Sequence, residues 1–86
     1  MALELAGSRI RVNTVAPGPT AAALVEAMHT GEERQRIEQA LPLGRYGLPA
    51  EIARAAAFLV DDASAGFVTG ATLCVDGGFS AASPFG

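Results

Sequence analysis

The fold of this chain is decided by the stretch RIRVNTVAPGPT, which runs from Arg9 to Thr20. Its first half, Ile10–Val15, is mostly apolar and β-branched, a composition typical of a parallel strand that is covered on both faces. Pro17-Gly18-Pro19 follows at once, and because proline has no N–H to donate to a sheet, these residues predict the end of the strand. The sequence therefore predicts a strand that runs directly into a Pro-Gly turn.

The residues before this strand predict the end of a helix. Met1–Ala6 contains good helix formers, and Gly7 stands where a C-terminal cap is expected. A helix of one or two turns is not stable by itself in water. We therefore expect the chain to begin in the middle of an element, and the sequence leaves open whether Met1 is a true start or an internal methionine of a longer protein.

The residues after the turn predict three more helices and a second strand. The best helix is opened by Leu48–Glu51, with proline near its first position and a carboxylate at its positive end. Its apolar residues recur at helical spacing on one stripe. This helix ends at Asp61-Asp62, and its apolar stripe is Ile52, Ala55, Ala56, Leu59 and Val60. The other two predicted helices are Ala21–Met28 and Glu32–Leu41. After the third helix the sequence predicts a small-residue turn over Ala63–Gly70, a strand over Ala71–Val75 and a strand exit at Asp76-Gly77-Gly78.

The composition bounds the kind of protein. With 86 residues, 50% of them hydrophobic and 17% charged, the chain has room for one small globular domain at most. Its net charge of −3 and its lack of lysine argue against a nucleic-acid partner. No apolar run approaches the ~20 residues that cross a bilayer, and a single cysteine cannot form an internal disulfide. The expectation is a soluble, cytoplasmic protein without nucleic acid, membrane or metal partners.

Four pieces in this order resemble the C-terminal part of a short-chain dehydrogenase/reductase. They are Ile10–Gly18, Pro42–Ala53, Phe67–Gly70 and Val75–Gly78. The resemblance covers residues 1–79 and leaves 80–86 as a tail without a readable pattern. It implies an α/β fold: part of a Rossmann-like, doubly wound parallel sheet, here with two parallel strands, about four helices and an incomplete domain.

The resemblance also implies a place for the coenzyme, NAD or NADP. In the complete fold the segment after the Pro-Gly turn lies over the nicotinamide, which makes Pro17, Gly18, Pro19 and Thr20 the candidate cofactor-binding residues. The family often has a threonine four residues after that glycine, where this chain has Ala22. Thr20 is then the nearby substitute.

The family's catalytic residues are missing. Hydride transfer there needs a tyrosine as general acid/base and a lysine four residues later that lowers its pKa. The single tyrosine is Tyr46, Ala50 stands four residues later, and the chain has neither a lysine nor a glycine-rich phosphate loop. We therefore expect no catalytic residue, no bound coenzyme and no turnover in this chain alone.

Structural roles are expected for the other conspicuous residues. Asn13 is expected to serve at a strand end, Tyr46 in a half-buried loop and Cys74 in an apolar core. Asp76 is expected in a strand-ending turn, and Arg45 in solvent or in an ion pair across a subunit contact.

Two functions follow from these observations. The first is a fragment of an NAD(P)-dependent oxidoreductase that interconverts alcohols and carbonyls, in which the chain supplies the nicotinamide-side loop, a substrate lid over Ala21–Leu41 and a subunit interface. The second is a non-catalytic module that associates with itself or with a full-length relative through residues 49–60 and 71–78. Weak nucleotide binding without turnover ranks third, because the phosphate loop is missing.

Overall fold

Two parallel strands form the centre of the computed structural model, which describes residues 1–21 and 30–82. Strand β1, Thr14–Pro17, pairs with strand β2, Thr72–Val75, so that Thr14 lies opposite Thr72 and Pro17 opposite Val75. Five helices belong to the described residues: α1 (Ala2–Ala6), α2 (Gly31–Ala40), α3 (Pro49–Val60), α4 (Asp62–Ala65) and α5 (Phe79–Ala82). The predicted α/β class with two parallel strands is confirmed. All but the first residue of the helix predicted over Ala21–Met28 falls outside the described residues, and so does the substituted position Ala22.

Strand β1 begins and ends later than the predicted strand Ile10–Val15. The N–H groups of Thr14 and Gly18 donate to the carbonyls of Ala71 and Val75, at 2.9 and 3.0 Å. Since backbone groups alternate along a strand, Pro17 directs its missing N–H away from β2. Because Pro17 removes no hydrogen bond between β1 and β2, the strand can include this proline.

Side chains rather than the ladder hold the residues just before β1. The Asn13 side chain donates to the Val68 carbonyl and accepts from the Ala71 N–H, both at 3.0 Å. The Val12 N–H donates to the Thr69 hydroxyl at 3.1 Å. These bonds explain why the strand starts at Thr14, and they confirm the structural role expected for Asn13.

The two helices that flank the central loop start from well-defined caps. Thr30 accepts from the Glu33 N–H at 3.2 Å, and the Glu33 carboxylate accepts from the Thr30 N–H at 3.4 Å. This reciprocal cap starts α2 at Gly31, one residue before the predicted Glu32. Helix α3 has the predicted bounds, and its Glu51 carboxylate accepts from the Leu48 N–H at 2.9 Å.

The apolar stripe of α3 is divided between two environments. Helix α3 packs on both strands, with Leu59 buried and Ile52 and Ala55 half-buried. Ala56 is exposed, and Val60 is 77% exposed. Only part of the predicted stripe therefore faces the sheet. In the described part of the chain the buried apolar residues are Leu41, Tyr46, Leu59 and Ala65.

Two further expectations are wrong. The predicted turn Ala63–Gly70 begins with helix α4, because the Asp61 carboxylate accepts from the Ala63 N–H at 3.1 Å and from the Ser64 hydroxyl at 2.8 Å, which caps a helical turn. Cys74 is exposed rather than buried in a core. The side chains of β2 alternate between exposed and half-buried, as expected for a sheet covered on one face.

The segment after β2 is more ordered than its sequence indicates. Helix α5 includes residues 80–82, for which the sequence showed no readable pattern. Among residues 1–21 and 30–82, no helix has the length and apolar character needed to cross a bilayer.

Candidate functional site

The four candidate cofactor-binding residues lie together where β1 ends. Pro17 is the last residue of β1 and is exposed, whereas Gly18, Pro19 and Thr20 are half-buried. The Gly18 N–H donates to the Val75 carbonyl at 3.0 Å, which ties the start of the loop to the end of β2. Both parallel strands thus end at one edge of the sheet, the edge at which doubly wound α/β proteins bind their ligands.

Position 18 requires a glycine because the backbone of Asp76 lies too close for a side chain. A Cβ atom at this position would lie 2.7 Å from both the Cα and the Cβ of Asp76. Real Cβ atoms do not approach so closely, and any side chain here would separate the two strand ends. The contact with Asp76 therefore accounts for a glycine at this position, independently of any coenzyme.

The other side of the loop is held by Gly47. Its N–H donates to the Pro19 carbonyl at 2.9 Å, and its carbonyl accepts from the Ala21 N–H at 2.8 Å. The Thr20 hydroxyl donates to the Gly18 carbonyl at 2.9 Å and closes the turn internally. The loop is therefore fixed on both sides by backbone bonds before any ligand is present.

The exit turn of β2, Asp76–Gly78, has the geometry expected from its sequence. Gly77 and Gly78 have φ values of 63° and 91°, which only glycine adopts easily. The Asp76 carboxylate accepts from the Gly78 N–H at 3.0 Å and from the Ser80 N–H at 3.1 Å. Hydrogen bonds from Ser80, first from its side chain and then from its N–H, lower the pKa of Asp76.

An ion pair lies beside the exit turn. The Arg45 guanidinium donates to both oxygens of Glu51, at 2.8 and 3.0 Å, and also to the Tyr46 carbonyl. The bond from Arg45 is the main cause that lowers the pKa of Glu51 to about 2, and the bond from the Leu48 N–H adds to it. Arg45 therefore pairs within the chain, and a cleft of about 230 Å³ separates this pair from Asp76.

Tyr46 lies in the loop between α2 and α3. Its side chain is 5% exposed, so it is more buried than expected for a half-buried loop residue. The Arg34 guanidinium lies 5.0 Å from the centre of its ring. In the described ranges, no three His, Cys, Asp or Glu residues are arranged to hold a metal ion. The arrangement shapes and supports a loop.

Sequence reasoning found the loop but missed the residues that fix it. The sequence places Asp76 only in a strand-ending turn and gives Gly47 no role at the site. Their positions follow from one signal in the sequence: two parallel strands, each followed by a glycine-containing turn, must end at the same edge. That rule places Asp76 beside Gly18, but it does not reach Gly47, which lies far from both strands in the sequence.

Comparison with known proteins was consistent across sequence and structure. Residues 1–80 match the family described as Enoyl-(Acyl carrier protein) reductase. The chain is 42% identical over 80 residues to a tropinone reductase homolog of Arabidopsis thaliana, covering 93% of this chain and 30% of that protein. It is 44% identical over 80 residues to glucose 1-dehydrogenase 2 of Bacillus subtilis, covering 93% of this chain and 31% of that protein.

A solved structure shows the same arrangement of elements. The short-chain dehydrogenase/reductase of Serratia marcescens superposes with a TM-score of 0.83 at 41% identity, covering 93% of this chain and 31% of that one. The chain thus spans about a third of the length of the relatives that it matches. Sequence, strand order and the paired turns all agree: the chain belongs to the short-chain dehydrogenase/reductase family and corresponds to the C-terminal part of that family's fold.

Proposed function

We propose that this chain forms the nicotinamide-side wall of the coenzyme pocket in an NAD(P)-dependent short-chain oxidoreductase. Members of this family use NAD or NADP. One observation carries the proposal: the loop Pro17–Thr20 is fixed at the carboxyl edge of the sheet by bonds to Val75 and Gly47. A wall held in place before the ligand arrives loses little freedom on binding.

The chemistry of the loop fits the carboxamide end of a nicotinamide. The Thr20 hydroxyl uses its proton on the Gly18 carbonyl, so toward a ligand its oxygen acts as an acceptor. An acceptor is what the amide NH₂ group of the coenzyme requires. Pro17 and Pro19 add rigid apolar surface that suits the face of the ring.

The rest of the chain would supply the lid and an interface, as the sequence indicated. Helix α2 belongs to the proposed substrate lid, Ala21–Leu41. The reaction itself, interconversion of an alcohol and a carbonyl compound, would depend on a tyrosine–lysine pair and a phosphate loop that this sequence does not contain. For the 86-residue chain alone we expect no oxidation of NADH or NADPH above a blank with any carbonyl substrate.

A chimera tests the proposal. Residues 1–80 would replace the matching segment of the Bacillus subtilis relative, and coenzyme affinity would be measured from NADH and NADPH fluorescence. We expect the chimera to bind at least one coenzyme within about tenfold of the unmodified relative. We expect Thr20→Val, which keeps the shape of the side chain but removes its oxygen, to weaken binding about five- to tenfold, because the acceptor for the carboxamide is lost together with the internal bond to the Gly18 carbonyl.

Thr14→Val provides the matched control. Thr14 has the same side chain in the same strand–turn unit, but it lies at the opposite end of β1. Its replacement should leave the affinity within twofold. A folded chimera that binds neither coenzyme, or a Thr20→Val effect no larger than that of Thr14→Val, would contradict the proposal.

A second function, self-association without catalysis, has an observation in its favour. In the described residues the sheet has two strands, so β1 and β2 each have one paired and one unpaired edge. Val60, which lines a cleft with Val15 of β1, is 77% exposed, and Phe58 is 46% exposed on the same helix. We infer that residues 49–60 and 71–78 associate with a second copy or with a full-length relative.

Coenzyme binding by the chimera distinguishes the two functions, and sedimentation tests the association that both share. If self-association is the function, the 86-residue chain forms a dimer or a larger oligomer of fixed size, and the chimera does not bind coenzyme. If the chain is a coenzyme wall, the chimera binds coenzyme.

A further inference from the structure

The exit turn Asp76–Gly78 contacts three separate parts of the proposed coenzyme and substrate site. On one side it meets the loop Pro17–Thr20, called the coenzyme loop from here on. There the Cα and Cβ of Asp76 occupy the space that any Cβ on Gly18 would need. The Gly18 N–H bond to Val75 lies directly beside this contact. The position of the loop is therefore set against the backbone of Asp76.

On its second side the exit turn holds the end of the lid segment. The Leu43 N–H donates to the Gly77 carbonyl at 3.0 Å. A Cβ on Gly78 would lie 3.0 Å from the Cβ and Cγ atoms of Pro42, so this proline packs closely on the turn. Residues 42–43 follow the proposed lid, whose last residue, Leu41, is buried.

On its third side the exit turn starts α5. The Asp76 carbonyl accepts from the Phe79 N–H at 3.2 Å, while its carboxylate accepts from the N–H groups of Gly78 and Ser80. Phe79 lines an apolar groove of about 420 Å³ together with Pro19, Ile37 and Ala40. Pro19 of the coenzyme loop thus forms one wall of this groove, helix α2 of the proposed lid forms another, and Phe79, whose N–H bonds to Asp76, forms the third.

We propose that Asp76 is a positioning residue, which sets the coenzyme loop, the end of the lid and Phe79 in one fixed arrangement. The proposal rests on the coenzyme-wall function above. In this proposal Asp76 acts through Gly18, Pro42–Leu43 and Phe79 rather than by contact with coenzyme or substrate. Removing its carboxylate leaves the N–H groups of Gly78 and Ser80 without their acceptor, and a helix as short as α5 does not persist without a cap.

The first test uses the chimera carrying Asp76→Ala or Asp76→Asn. Asp76→Ala keeps the Cβ that faces Gly18 but removes both acceptor oxygens. We expect the KM for coenzyme to rise about fivefold, as the loss of one cap would produce, with kcat lowered less than twofold. Asp76→Asn keeps one acceptor oxygen and should recover about half of the loss in free energy.

Asp61→Ala is the matched control. Asp61 is also an aspartate that caps a short helix, since it accepts from Ala63 and Ser64 at the start of α4. Its carboxylate bonds lie outside the loop, the lid segment and the groove. A purely structural role for Asp76 predicts equal effects of the two variants on the KM for coenzyme, and that result would overturn the proposal.

A second measurement does not depend on activity. Amide hydrogen exchange in the 86-residue chain would be followed at Gly18 and Leu43, whose N–H groups bond to the residues on either side of Asp76. We expect both amides to be protected in the original chain and to exchange about fivefold faster in Asp76→Ala but not in Asp61→Ala.

The outcomes separate the two proposals. A chimera that binds no coenzyme contradicts the proposed function, and the exchange data then decide whether Asp76 sets the loop and the lid end. Unprotected Gly18 and Leu43 amides in the original chain, or equal exchange in Asp76→Ala and the original chain, would overturn the positioning role.

Discussion

At the scale of single residues, the contact between Gly18 and Asp76 leaves no room for a side chain. We predict that Gly18→Ala lowers the free energy of unfolding by about 1–3 kcal/mol, because the new methyl group would force the two strand ends apart. Urea unfolding of the 86-residue chain, followed by circular dichroism, measures this change.

Gly31→Ala is the control for that prediction. A Cβ at Gly31 meets nothing within 4 Å, and the residue lies in the first turn of α2. Alanine should be neutral there or stabilise the helix slightly. Equal effects of the two substitutions would show that the contact with Asp76 does not constrain the loop.

Glu51 makes the stability of the chain depend on pH. Its pKa is lowered from 4.5 to about 2, mainly by the hydrogen bond from Arg45. A carboxyl group whose pKa is lower in the folded state adds stability above pH 4.5, and this stability is lost as the pH falls toward 2. We predict that Glu51→Gln is less stable than the original chain at pH 7 and that the difference shrinks over this interval. A difference that stays constant from pH 7 to 2 would contradict the prediction.

At the scale of elements, Arg11 connects the segment before β1 to the end of α3 and the start of α4. Its guanidinium donates to the carbonyls of Leu59 and Val68, at 2.8 and 3.2 Å, and to the Asp62 carboxylate at 2.8 and 3.2 Å. The Arg11 side chain is 18% exposed, whereas that of Asp62 is 89% exposed. The bonds to the carbonyls are therefore the better protected ones.

Two substitutions separate the carbonyl bonds from the ion pair. We predict that Arg11→Lys lowers the free energy of unfolding by about 1–3 kcal/mol, because a lysine cannot reach both carbonyls and the carboxylate with its single ammonium group. Asp62→Asn should cost less than about 1 kcal/mol, as an exposed ion pair does. A larger loss for Asp62→Asn in urea unfolding would show that the ion pair is the more important contact.

The elements also show how far the sequence could be read. The bounds of α3 were predictable because proline, Glu51 and the apolar spacing all agree on them. The start of β1 was not, since the hydrogen bonds of Asn13 to Val68 and Ala71 join residues more than fifty positions apart. The short helix α4 was missed because its cap, Asp61, also ends α3 and reads equally well as a helix stop.

At the scale of the whole molecule, the chain exposes many of its large apolar side chains. Leu3, Val60 and Phe67 are 90%, 77% and 104% exposed, and within residues 1–21 and 30–82 each of the two strands has one unpaired edge. Surfaces of this kind favour association. We predict concentration-dependent association in sedimentation experiments, weakened by Val60→Lys, which places a charge beside β1 without disturbing a buried contact. A monodisperse monomer at all concentrations would contradict this prediction.

The site was predictable only in part at this scale. Pro17, Gly18, Pro19 and Thr20 were found because a strand followed by a Pro-Gly turn is a local signal. The roles of Gly47 and Asp76 could not be read locally, because they depend on loops that meet only after the strands pair. The apolar neighbours of Cys74 predict a core position, but the face of β2 that carries it is exposed.

The most direct test of the coenzyme wall is a nuclear Overhauser measurement on the chimera with bound NADH or NADPH. The account predicts magnetisation transfer from the nicotinamide ring protons to protons of Pro17–Thr20, which lie at the carboxyl edge of the sheet. Transfer to that loop from the adenine protons, or from no part of a bound coenzyme, would contradict it.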